Sequence, residues 1–348
     1  MKNKDLILKL NKEKCLSKSE WISLFETSDD EDISLARELA QKTAKEQFGN
    51  KIYMRGLIEI SNICKNDCLY CGIRKSNSCV SRYRMTKDDI FKCCVIGYER
   101  GFRTFVLQGG EDGHFNDDVM TDIVSGIKEK YPDCAITLSL GERSRESYEK
   151  LYKAGADRYL LRHETATKEH YEKLHPENLS FNNRMECLKN LKKIGFQTGC
   201  GMMIGSPYQT AENLADDMLF LKEFKPHMIG IGPFLPAENT PFEKEKAGSL
   251  EQTLFVLSLV RIMLPNVLLP ATTALGTLAK DGRQRAILSG ANVMMPNISP
   301  TENRKNYSLY NDKIGTGEDA PKSVDNVVSS LKEIGYEPIV SRGDYKEN

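Results

Sequence analysis

The sequence predicts an α/β fold, most simply a closed TIM-type (β/α)8 barrel, and two observations support this prediction. From Lys51 onward, eight β-rich runs alternate with amphipathic helical runs, which is the pattern of βα units and a parallel sheet. The chain of 348 residues is also long enough for one large domain of this kind, or for two smaller ones. A partial barrel of six βα units is the main structural alternative.

The predicted elements divide the chain into three parts. Residues 17–49 are expected to be helical, with Ser34 as an N-cap, so residues 1–50 form a predicted N-terminal helical cap. The predicted strands are KIYMRGLIEIS, RTFVLQ, CAITLSL, DRYLLRHE, FQTGCGMMIG, HMIGIG, VLLPATT and ANVMMP. The helices between them are expected to begin near Thr86, Asn116, Arg145, Phe181, Gln209, Ser249 and Gly276. Residues 51–310 are therefore the predicted barrel, and residues 311–348 are expected to form a C-terminal helix and tail packed on it.

The composition limits the classes of partner. Lysine plus arginine and aspartate plus glutamate number 49 each, which gives no support for nucleic acid or an anionic membrane as a partner. No stretch approaches the roughly 18 apolar residues of a membrane span, and residues 1–14 lack the apolar core of a secretion signal. Ten cysteines without such a signal favour reduced thiols or metal ligation over disulfides. We therefore expect a cytoplasmic protein.

Three cysteines follow the first predicted strand in the segment SNICKNDCLYCGIR. Cys64, Cys68 and Cys71 have the spacing C-x3-C-x2-C, with the aromatic Tyr70 before the last of them. Three thiolates on a short loop can bind three irons of a 4Fe-4S cubane and leave the fourth iron open for another ligand. This pattern is similar to that of radical S-adenosylmethionine (SAM) enzymes, whose reduced cluster cleaves SAM to methionine and a 5′-deoxyadenosyl radical. One 4Fe-4S cluster and SAM are therefore the predicted cofactors.

A structural zinc site is the alternative for this loop, with Cys79 as a fourth ligand. Closed zinc sites, however, normally use four ligands in paired C-x2-C or C/H arrangements. The cysteines outside the motif show no ligand spacing and are expected to be small core residues. They are Cys15, Cys79, Cys93, Cys94, Cys134, Cys187 and Cys200.

The second predicted strand ends in LQGGEDG, which is similar to the GGE element of radical SAM enzymes. Its two glycines would let backbone groups come close to a ligand, and Glu111 has a carboxylate that can accept a hydrogen bond from an ammonium group. By this similarity, Glu111 is expected to hold the methionine amino group of SAM.

The fourth predicted strand carries charge on one face. Period-two alternation places Arg158, Arg162 and Glu164 on one face of DRYLLRHET and His163 on the other, where it is expected to be a core histidine. Two arginines on a buried strand are hard to reconcile with a dry core, so we predict a polar, positively charged lumen for an anionic substrate. In the alternative interpretation, the arginines pair with carboxylates such as Glu59 and only stabilise the barrel.

Several longer segments, which run with few gaps from Tyr53 to Tyr310, resemble one family. They are SNICKNDCLYCGIR, RYRMT, VLQGGED, TLSLGE, ADRYLLRHETA, FNNR, GIGPFLP, ENTPF, LPATTALGT and GANVMMPN. These segments are similar to those of HydE, the family of radical SAM maturases of FeFe-hydrogenase, which belongs with the biotin synthase and methylornithine synthase enzymes. The resemblance implies a full (β/α)8 barrel with an internal cavity.

By matching motif, the resemblance implies which residues contact the cofactor and the substrate. The catalytic, metal-binding residues are Cys64, Cys68 and Cys71. The implied SAM contacts are Tyr70, Gly110, Glu111, Ser139, Glu164 and Arg184, although Arg184 taken alone is equally compatible with a surface position. The implied substrate cavity involves Arg55, Gln108, Arg158, Arg162, Thr272, Thr273, Tyr307 and Tyr310.

The implied function is a step in assembly of the two-iron subcluster of the hydrogenase H-cluster. The substrate would be an organometallic complex of iron with carbon monoxide, cyanide and cysteine, and the adenosyl radical would attack its cysteine part. Implied partners are other hydrogenase maturases and an electron donor such as a ferredoxin or a flavodoxin. Some members carry three further cysteines near the C-terminus for a second cluster, whereas no cysteine follows Cys200 here, so a single 4Fe-4S cluster is predicted.

Three other functions stay open. A methylornithine synthase-like mutase acting on lysine shares the cysteine loop and the GED residues, although the RHET and ATTALGT runs resemble the maturase more closely. A biotin synthase-like sulfur inserter would need a second cluster deep in the barrel, where only scattered cysteines are available. A noncatalytic iron-sulfur scaffold has no use for the full set of predicted SAM contacts.

Overall fold

The computed structural model describes residues 2–347 and begins with three helices. They are α1 (Asn3–Glu13), α2 (Lys18–Thr27) and α3 (Asp30–Phe48). The side chains of Ser17 and Asp29 cap α2 and α3, each accepting a hydrogen bond from the backbone N–H three residues further on. Ser34 therefore lies inside α3, and its prediction as an N-cap is wrong, because the acidic residues before it already begin the helix.

Two parallel sheets follow. Their strands are β1 (Lys51–Met54), β2 (Gly56–Ser61), β3 (Thr104–Gly109), β4 (Ala135–Ser139), β5 (Arg158–Leu160), β6 (Gln197–Ile204), β7 (Met228–Pro233), β8 (Val293–Met294) and β9 (Glu337–Ile339). The strands β2 to β7 form one six-stranded sheet in sequence order, whereas β1 lies between β8 and β9 in a three-stranded sheet. Each ladder within these sheets is parallel.

The barrel closes through short segments that connect the two sheets. Only Arg55 separates β1 from β2. Its backbone N–H donates to the carbonyl of Met294, the last residue of β8, at 3.0 Å. On the other side of β8, the segment 268–270 bridges β7 and β8 by single residue pairs. The ladder is short there because Pro270 has no N–H to donate. Eight strand positions thus surround the lumen, and the predicted (β/α)8 barrel is confirmed.

Helices cover the outer face of the barrel. They are α4 (Lys87–Glu99), α5 (Asp117–Lys130), α6 (Arg145–Lys153), α7 (Lys168–Leu174), α8 (Phe181–Ile194), α9 (Ala211–Phe224), α10 (Leu250–Met263), α11 (Thr273–Leu278) and α12 (Gly282–Leu288). Six of them begin within two residues of a predicted start, whereas Gly276 falls inside α11 and α7 is a helix that the sequence did not predict. The N-terminal helices join this layer, since α2 packs against α9 and α3 against α10. Within residues 2–347, no helix has the length and apolar character needed to cross a membrane.

The barrel strands present alternate side chains to the helices and to the lumen, as their sequences predict. In β2, Ile58 and Ile60 belong to the main hydrophobic core, whereas the Glu59 side chain makes polar contacts on the other face. At β5, Tyr159 and Leu161 belong to the same core. The polar residues of these strands therefore point to the interior of the barrel.

The segment after β8 reaches both ends of the barrel. It contains α13 (Thr301–Asn306), α14 (Ala320–Glu333) and β9, which pairs with β1. Near its beginning, the carbonyl oxygen of Leu309 accepts a hydrogen bond from the N–H of Gly72 at 2.9 Å, beside the cysteines. Near its end, residues 342–344 contact the amino-terminal ends of β2 and β5. The division into a cap, a barrel and a tail stays a prediction.

Candidate functional site

The predicted cysteine loop runs from β2 to α4, at the carboxyl ends of the barrel strands, where barrels of this type have their active sites. The guanidinium of Arg82 fixes the shape of this loop by donating to four of its backbone carbonyls. These are the carbonyls of Asn62, Ile73, Arg74 and Asn77, at 2.6 to 2.9 Å. The planar set of donors of one arginine therefore ties together the two ends of the loop around the cysteines.

Cys64, Cys68 and Cys71 lie on this loop as free, partly exposed thiols. Burial raises the pKa of all three thiols, and the neighbouring thiols contribute for Cys68 and for Cys71, whose pKa is about 12. Iron bound to the sulfurs would have the opposite effect and favour the thiolates.

The arrangement of the thiols fits a cluster better than a single metal ion. Within residues 2–347, no three His, Cys, Asp or Glu side chains are close enough together to hold one metal ion. A cubane requires wider spacing, because each thiolate binds a different iron. The described residues therefore lack the tight four-ligand arrangement of a structural zinc site, and the loop carries the three thiols that a 4Fe-4S cluster with one open iron needs.

The LQGGEDG turn packs directly against the cysteine loop. A side chain at Gly110 would meet the carbonyl oxygen of Ile63 at 2.3 Å, so only glycine permits this approach. The backbone N–H of Lys65 bonds to the carbonyl of Glu111 at 2.9 Å. The Glu111 carboxylate accepts from the N–H of Glu142 at 2.9 Å, and its other oxygen lies 3.2 Å from the ammonium group of Lys65. Glu111 thus already holds an ammonium group beside the cysteines.

Glu164 and Arg184 approach the loop from the other side, and the charges of both affect the pKa of Cys68. Arg184 is only 7% exposed, so the surface alternative for it is wrong. Its Nε donates to Glu142 at 2.5 Å and its Nη1 to the carbonyl of Arg162 at 2.7 Å. Glu142 lies in the TLSLGE segment, and no role was predicted for it from the sequence. The arginine therefore ties the end of β4 to the end of β5.

Two charged groups in this region lack well-aligned partners. Nη2 of Arg162 lies 3.0 Å from Oε2 of Glu164, but the geometry is poor for a hydrogen bond, and neither buried atom has another partner. Ser139, another predicted SAM contact, is half-buried at the end of β4. Arg162 and Glu164 thus carry unsatisfied polar atoms next to the cysteine loop.

Tyr70 is held by a helix that the sequence did not predict. The N–H of Leu69 bonds to the carbonyl of Leu174 at the end of α7, at 3.0 Å. The Tyr70 hydroxyl lies 3.2 Å from Nε2 of His175, whose Nδ1 bonds to the carbonyl of Tyr171 at 2.9 Å. Because a carbonyl can only accept, Nδ1 carries the proton and Nε2 accepts from Tyr70. Burial lowers the pKa of His175 to about 3, so the ring is neutral.

Besides Arg162, five of the predicted substrate residues lie towards the carboxyl ends of the strands or on the segments that follow them. The side-chain amide of Gln108 donates to the hydroxyl of Tyr307 at 3.3 Å. The hydroxyl of Thr272 is buried without a partner, Thr273 begins α11, and Tyr310 follows α13. These residues lie at the same end of the barrel as the cysteine loop, and their contact with a substrate stays a prediction.

Glu59 pairs with a lysine that the sequence analysis missed. The ammonium group of Lys313 lies 2.6 Å from the Glu59 carboxylate and donates to the carbonyl of Tyr307 at 2.7 Å. Both side chains of the pair are less than a tenth exposed. Lys313 is therefore the partner of Glu59, whereas Arg158 and Arg162 pair with the carboxylates of Asp344 and Glu164. The arginines thus do pair with carboxylates, but Glu59 is not their partner.

Arg55 and Arg158 lie at the opposite end of the barrel from the cysteines. Arg158 begins β5, whereas Arg162 lies beyond the carboxyl end of this strand. Arg158 pairs with Asp344, and the carbonyl of Gly343 accepts from Arg55 at 3.4 Å. The structure does not bring these two arginines beside the cysteine loop, and a substrate role for them stays a prediction.

The remaining cysteines divide into two groups. The prediction of core residues is confirmed for the five that are buried. They are Cys93, Cys94, Cys134, Cys187 and Cys200. It is wrong for Cys15 and Cys79, which are exposed, because one follows the end of α1 and the other lies on the outer part of the cysteine loop.

Comparison with known proteins agrees with this site. Residues 58–221 match the model of the Radical SAM superfamily. The fold and the cysteine loop thus define a radical SAM enzyme, a class that uses a 4Fe-4S cluster and SAM. The [FeFe] hydrogenase maturase subunit HydE of Thermotoga maritima is 45% identical over 300 residues, which cover 86% of this chain and 85% of that protein. The chain belongs to the HydE family.

More distant relatives share the same architecture. The 3-methylornithine synthase of Methanosarcina acetivorans is 27% identical over 93% of this chain and 90% of that protein. The crystal structure of methylornithine synthase (PylB) superposes with a TM-score of 0.83 at 25% identity, covering 96% of this chain and 97% of that chain. The barrel and its terminal segments are therefore common to enzymes with different names.

Proposed function

We propose that this protein is a HydE-type maturase that acts during assembly of the two-iron subcluster of FeFe-hydrogenase. Its substrate is a small iron complex that carries carbon monoxide, cyanide and cysteine. The observation that most supports this proposal is the 45% identity to HydE over 86% of the chain. The polar barrel interior agrees with an anionic substrate of this kind.

The cofactor site is assigned to the cysteine loop and to the segments that pack against it. The thiolates of Cys64, Cys68 and Cys71 would hold a 4Fe-4S cluster through three of its irons and leave the fourth iron for SAM. When bound, the reduced cluster supplies the electron that cleaves SAM to methionine and a 5′-deoxyadenosyl radical. The contact between Glu111 and the ammonium group of Lys65 supports a role for this carboxylate in binding the amino group of SAM.

The other predicted SAM contacts have distinct parts in this proposal. Tyr70 and Glu164 present polar atoms to the region beside Cys68, and the buried Glu164 oxygen without a partner is available to a ligand hydroxyl. Gly110 allows close approach, and Ser139 ends the neighbouring strand. Arg184 acts through its contacts with Glu142 and with the backbone of Arg162.

The substrate is proposed to lie in the lumen below SAM. Arg162 and Thr272 carry buried donors without partners, which suit a carboxylate or another anionic group. Gln108, Tyr307 and Tyr310 line the same end, with Thr273 at the start of α11. At the other end, residues 342–344 contact Arg55 and Arg158, so the substrate enters from the side of the cysteine loop.

Partners and location are part of the same proposal. The reaction requires an electron donor such as a ferredoxin or a flavodoxin, and the product is passed to other hydrogenase maturases. These are components of the cytoplasm, where we place the protein. Nucleic acid and membranes have no role in it.

A mutase acting on a free amino acid is the second proposal. The structural likeness to methylornithine synthase over nearly the whole of both chains favours it. The two proposals share the cofactor chemistry and differ in the substrate, so substrate tests separate them. A noncatalytic iron-sulfur scaffold is separated from both by SAM cleavage.

The first experiment reconstitutes the protein anaerobically with iron and sulfide, reduces it, adds SAM and measures 5′-deoxyadenosine. A variant with Cys64→Ala, Cys68→Ala and Cys71→Ala is expected to form none, whereas Cys79→Ala, an exposed cysteine of the same loop, is the matched control and keeps the activity. The iron-cysteine complex is then compared with lysine as substrate. Turnover of the complex supports the maturase, turnover of lysine supports the mutase, and a well-formed cluster that leaves SAM intact with either substrate supports the scaffold.

A further inference from the structure

Glu164 has a backbone conformation that is unusual for its residue type. Its φ angle is +67°, in the left-handed region that favours glycine. Unlike Lys14 and Lys225, which have positive φ angles at helix ends, Glu164 is buried and only 6% exposed. Strained residues of this kind persist only where their surroundings fix them. The contacts on either side of Glu164 therefore decide where its carboxylate points.

The first contacts come from β6. The backbone N–H of Glu164 donates to the carbonyl of Gly201 at 3.0 Å, and the N–H of Gly201 donates to Nδ1 of His163 at 3.2 Å. One residue of β6 thus binds both His163 and Glu164. Position 201 must be glycine, because a Cβ there would lie 2.1 Å from the carbonyl oxygen of Gly230 on β7.

The second contacts come from Asp217 on α9, which is fully buried. Its Oδ1 accepts a hydrogen bond from the N–H of Ala166 at 2.6 Å and lies 3.2 Å from Nε2 of His163. Since Nδ1 of His163 accepts from Gly201, the ring proton is on Nε2 and is donated to Asp217. One carboxylate oxygen therefore holds the residue before Glu164 and the second residue after it.

We infer that Asp217 is a positioning residue that holds the carboxylate of Glu164 in place for SAM, through His163 and Ala166. The inference depends on the proposed role of Glu164 as a SAM contact. A buried carboxylate is unfavourable unless its hydrogen bonds compensate for lost hydration. Here the hydrogen bonds go to the chain on both sides of the strained residue. The second oxygen of Asp217 has no partner.

Both hydrogen bonds go to one oxygen of Asp217, so substitutions at this residue can retain or remove the acceptor. Asp217→Asn retains an oxygen acceptor in the same place, whereas Asp217→Leu has a similar size and no acceptor. Leu221→Ala is the matched control, since Leu221 is a fully buried residue one turn further along α9. Its truncation leaves a cavity, which destabilises the packing of the helix. The three variants separate positioning from general loss of stability.

The measurement is the SAM dissociation constant of the reconstituted, reduced holoprotein, taken from the change in the EPR spectrum of the cluster on titration. We expect Asp217→Leu to raise this constant about tenfold, as for the loss of one hydrogen bond to a charged group, and Asp217→Asn to raise it much less. Leu221→Ala is expected to lower the melting temperature without changing the constant. If Asp217→Leu and Leu221→Ala shift affinity and melting temperature in the same proportion, the positioning role is overturned.

Glu164→Gln separates failure of this inference from failure of the proposed function. If it weakens SAM binding while Asp217→Leu does not, Glu164 binds SAM but Asp217 does not position it. If Glu164→Gln leaves the dissociation constant unchanged, both the SAM contact and the inference are wrong. Should Asp217→Leu not fold, His163→Ala removes only the ring and leaves the bond between Asp217 and Ala166, and an unchanged affinity would again overturn the inference.

Discussion

The hydroxyl of Tyr70 lies 3.2 Å from Nε2 of His175, and it can donate this hydrogen bond only while the histidine is neutral. The contact joins the cysteine loop to the end of α7. The rings of His175 and Tyr171 are also stacked, with centroids 3.9 Å apart. Protonation of one buried histidine would therefore disturb the residue between the second and third cysteines.

This relationship predicts a decrease in stability in mild acid. The folded-state pKa of His175 is about 3, below its ordinary value of 6.5, because the ring is buried. Between these values the unfolded chain binds a proton that the folded protein does not, so the free energy of unfolding decreases as the pH falls below about 6.5. One such group contributes up to about 1.4 kcal/mol for each pH unit.

The test compares His175→Gln with wild type by urea unfolding at several pH values between about 5 and 7. The variant is expected to show a shallower loss of stability with acid, although some slope stays because burial also lowers the pKa of His170 and of His227. His114→Gln changes an exposed histidine and is the control. Equal slopes in all three proteins would contradict the buried neutral ring.

Arg82 is predicted to be required for assembly of the cluster. Arg82→Met removes donors to four carbonyls of the cysteine loop, so the thiols are no longer held together before iron binds. We expect less iron and sulfide per chain after reconstitution. Arg84→Met is the control, because Arg84 pairs with Asp112 and makes no bond to the loop carbonyls. Equal iron content in the two variants would show that Arg82 is dispensable.

Arg162 and Arg158 are predicted to differ in role, although the sequence places them on one face of the fourth predicted strand. Arg162→Met is expected to lower substrate turnover about tenfold or more, by loss of a hydrogen bond to a charged group, with little effect on the melting temperature. Arg158→Met is expected to lower the melting temperature, because it removes the ion pair with Asp344 and the buried hydrogen bond to the hydroxyl of Thr104. Turnover and thermal unfolding, measured on both variants, check this, and the reverse pattern would place the substrate at the other end of the lumen.

Asp344 is predicted to stabilise the barrel at its amino-terminal end. Burial opposes ionisation, but hydrogen bonds with Arg342 and the charge of Arg158 hold the pKa of Asp344 at about 2. Its contribution is therefore present above about pH 4 and is lost as the pH falls towards 2. At neutral pH, Asp344→Asn is expected to lower the free energy of unfolding by about 1 kcal/mol, since the carboxylate is a third exposed. Glu347→Gln, an exposed neighbour, should leave the urea midpoint unchanged.

Local patterns in the sequence were enough to predict much of this architecture. Alternation of side chains in DRYLLRHET identified His163 as a core histidine. Polar caps such as Thr86 and Asn116 marked the helix starts closely. The cysteine spacing identified the cofactor loop. All of these signals depend only on residues that are near one another in the chain, which is why the sequence alone reveals them.

The contacts that the sequence did not predict join distant segments. Lys313 pairs with Glu59 across 254 positions, and Asp344 pairs with Arg158 across 186. Local periodicity carries no information about such pairs. For this reason Arg55, Arg158 and Arg162 were predicted to line one site, although the structure places Arg162 at the opposite end of the lumen from the other two. The helix α7 was missed because seven residues are too short for a clear pattern.

The contacts of residues 342–344 also bear on the order in which the protein can fold during synthesis. Arg55 and Arg158 are buried side chains whose acceptors include groups made after every strand of the barrel. A nascent chain that has completed β8 therefore holds two guanidinium groups that still lack part of their hydrogen bonding. The barrel is expected to stay open at that end, and accessible to chaperones, until this late segment emerges from the ribosome and docks.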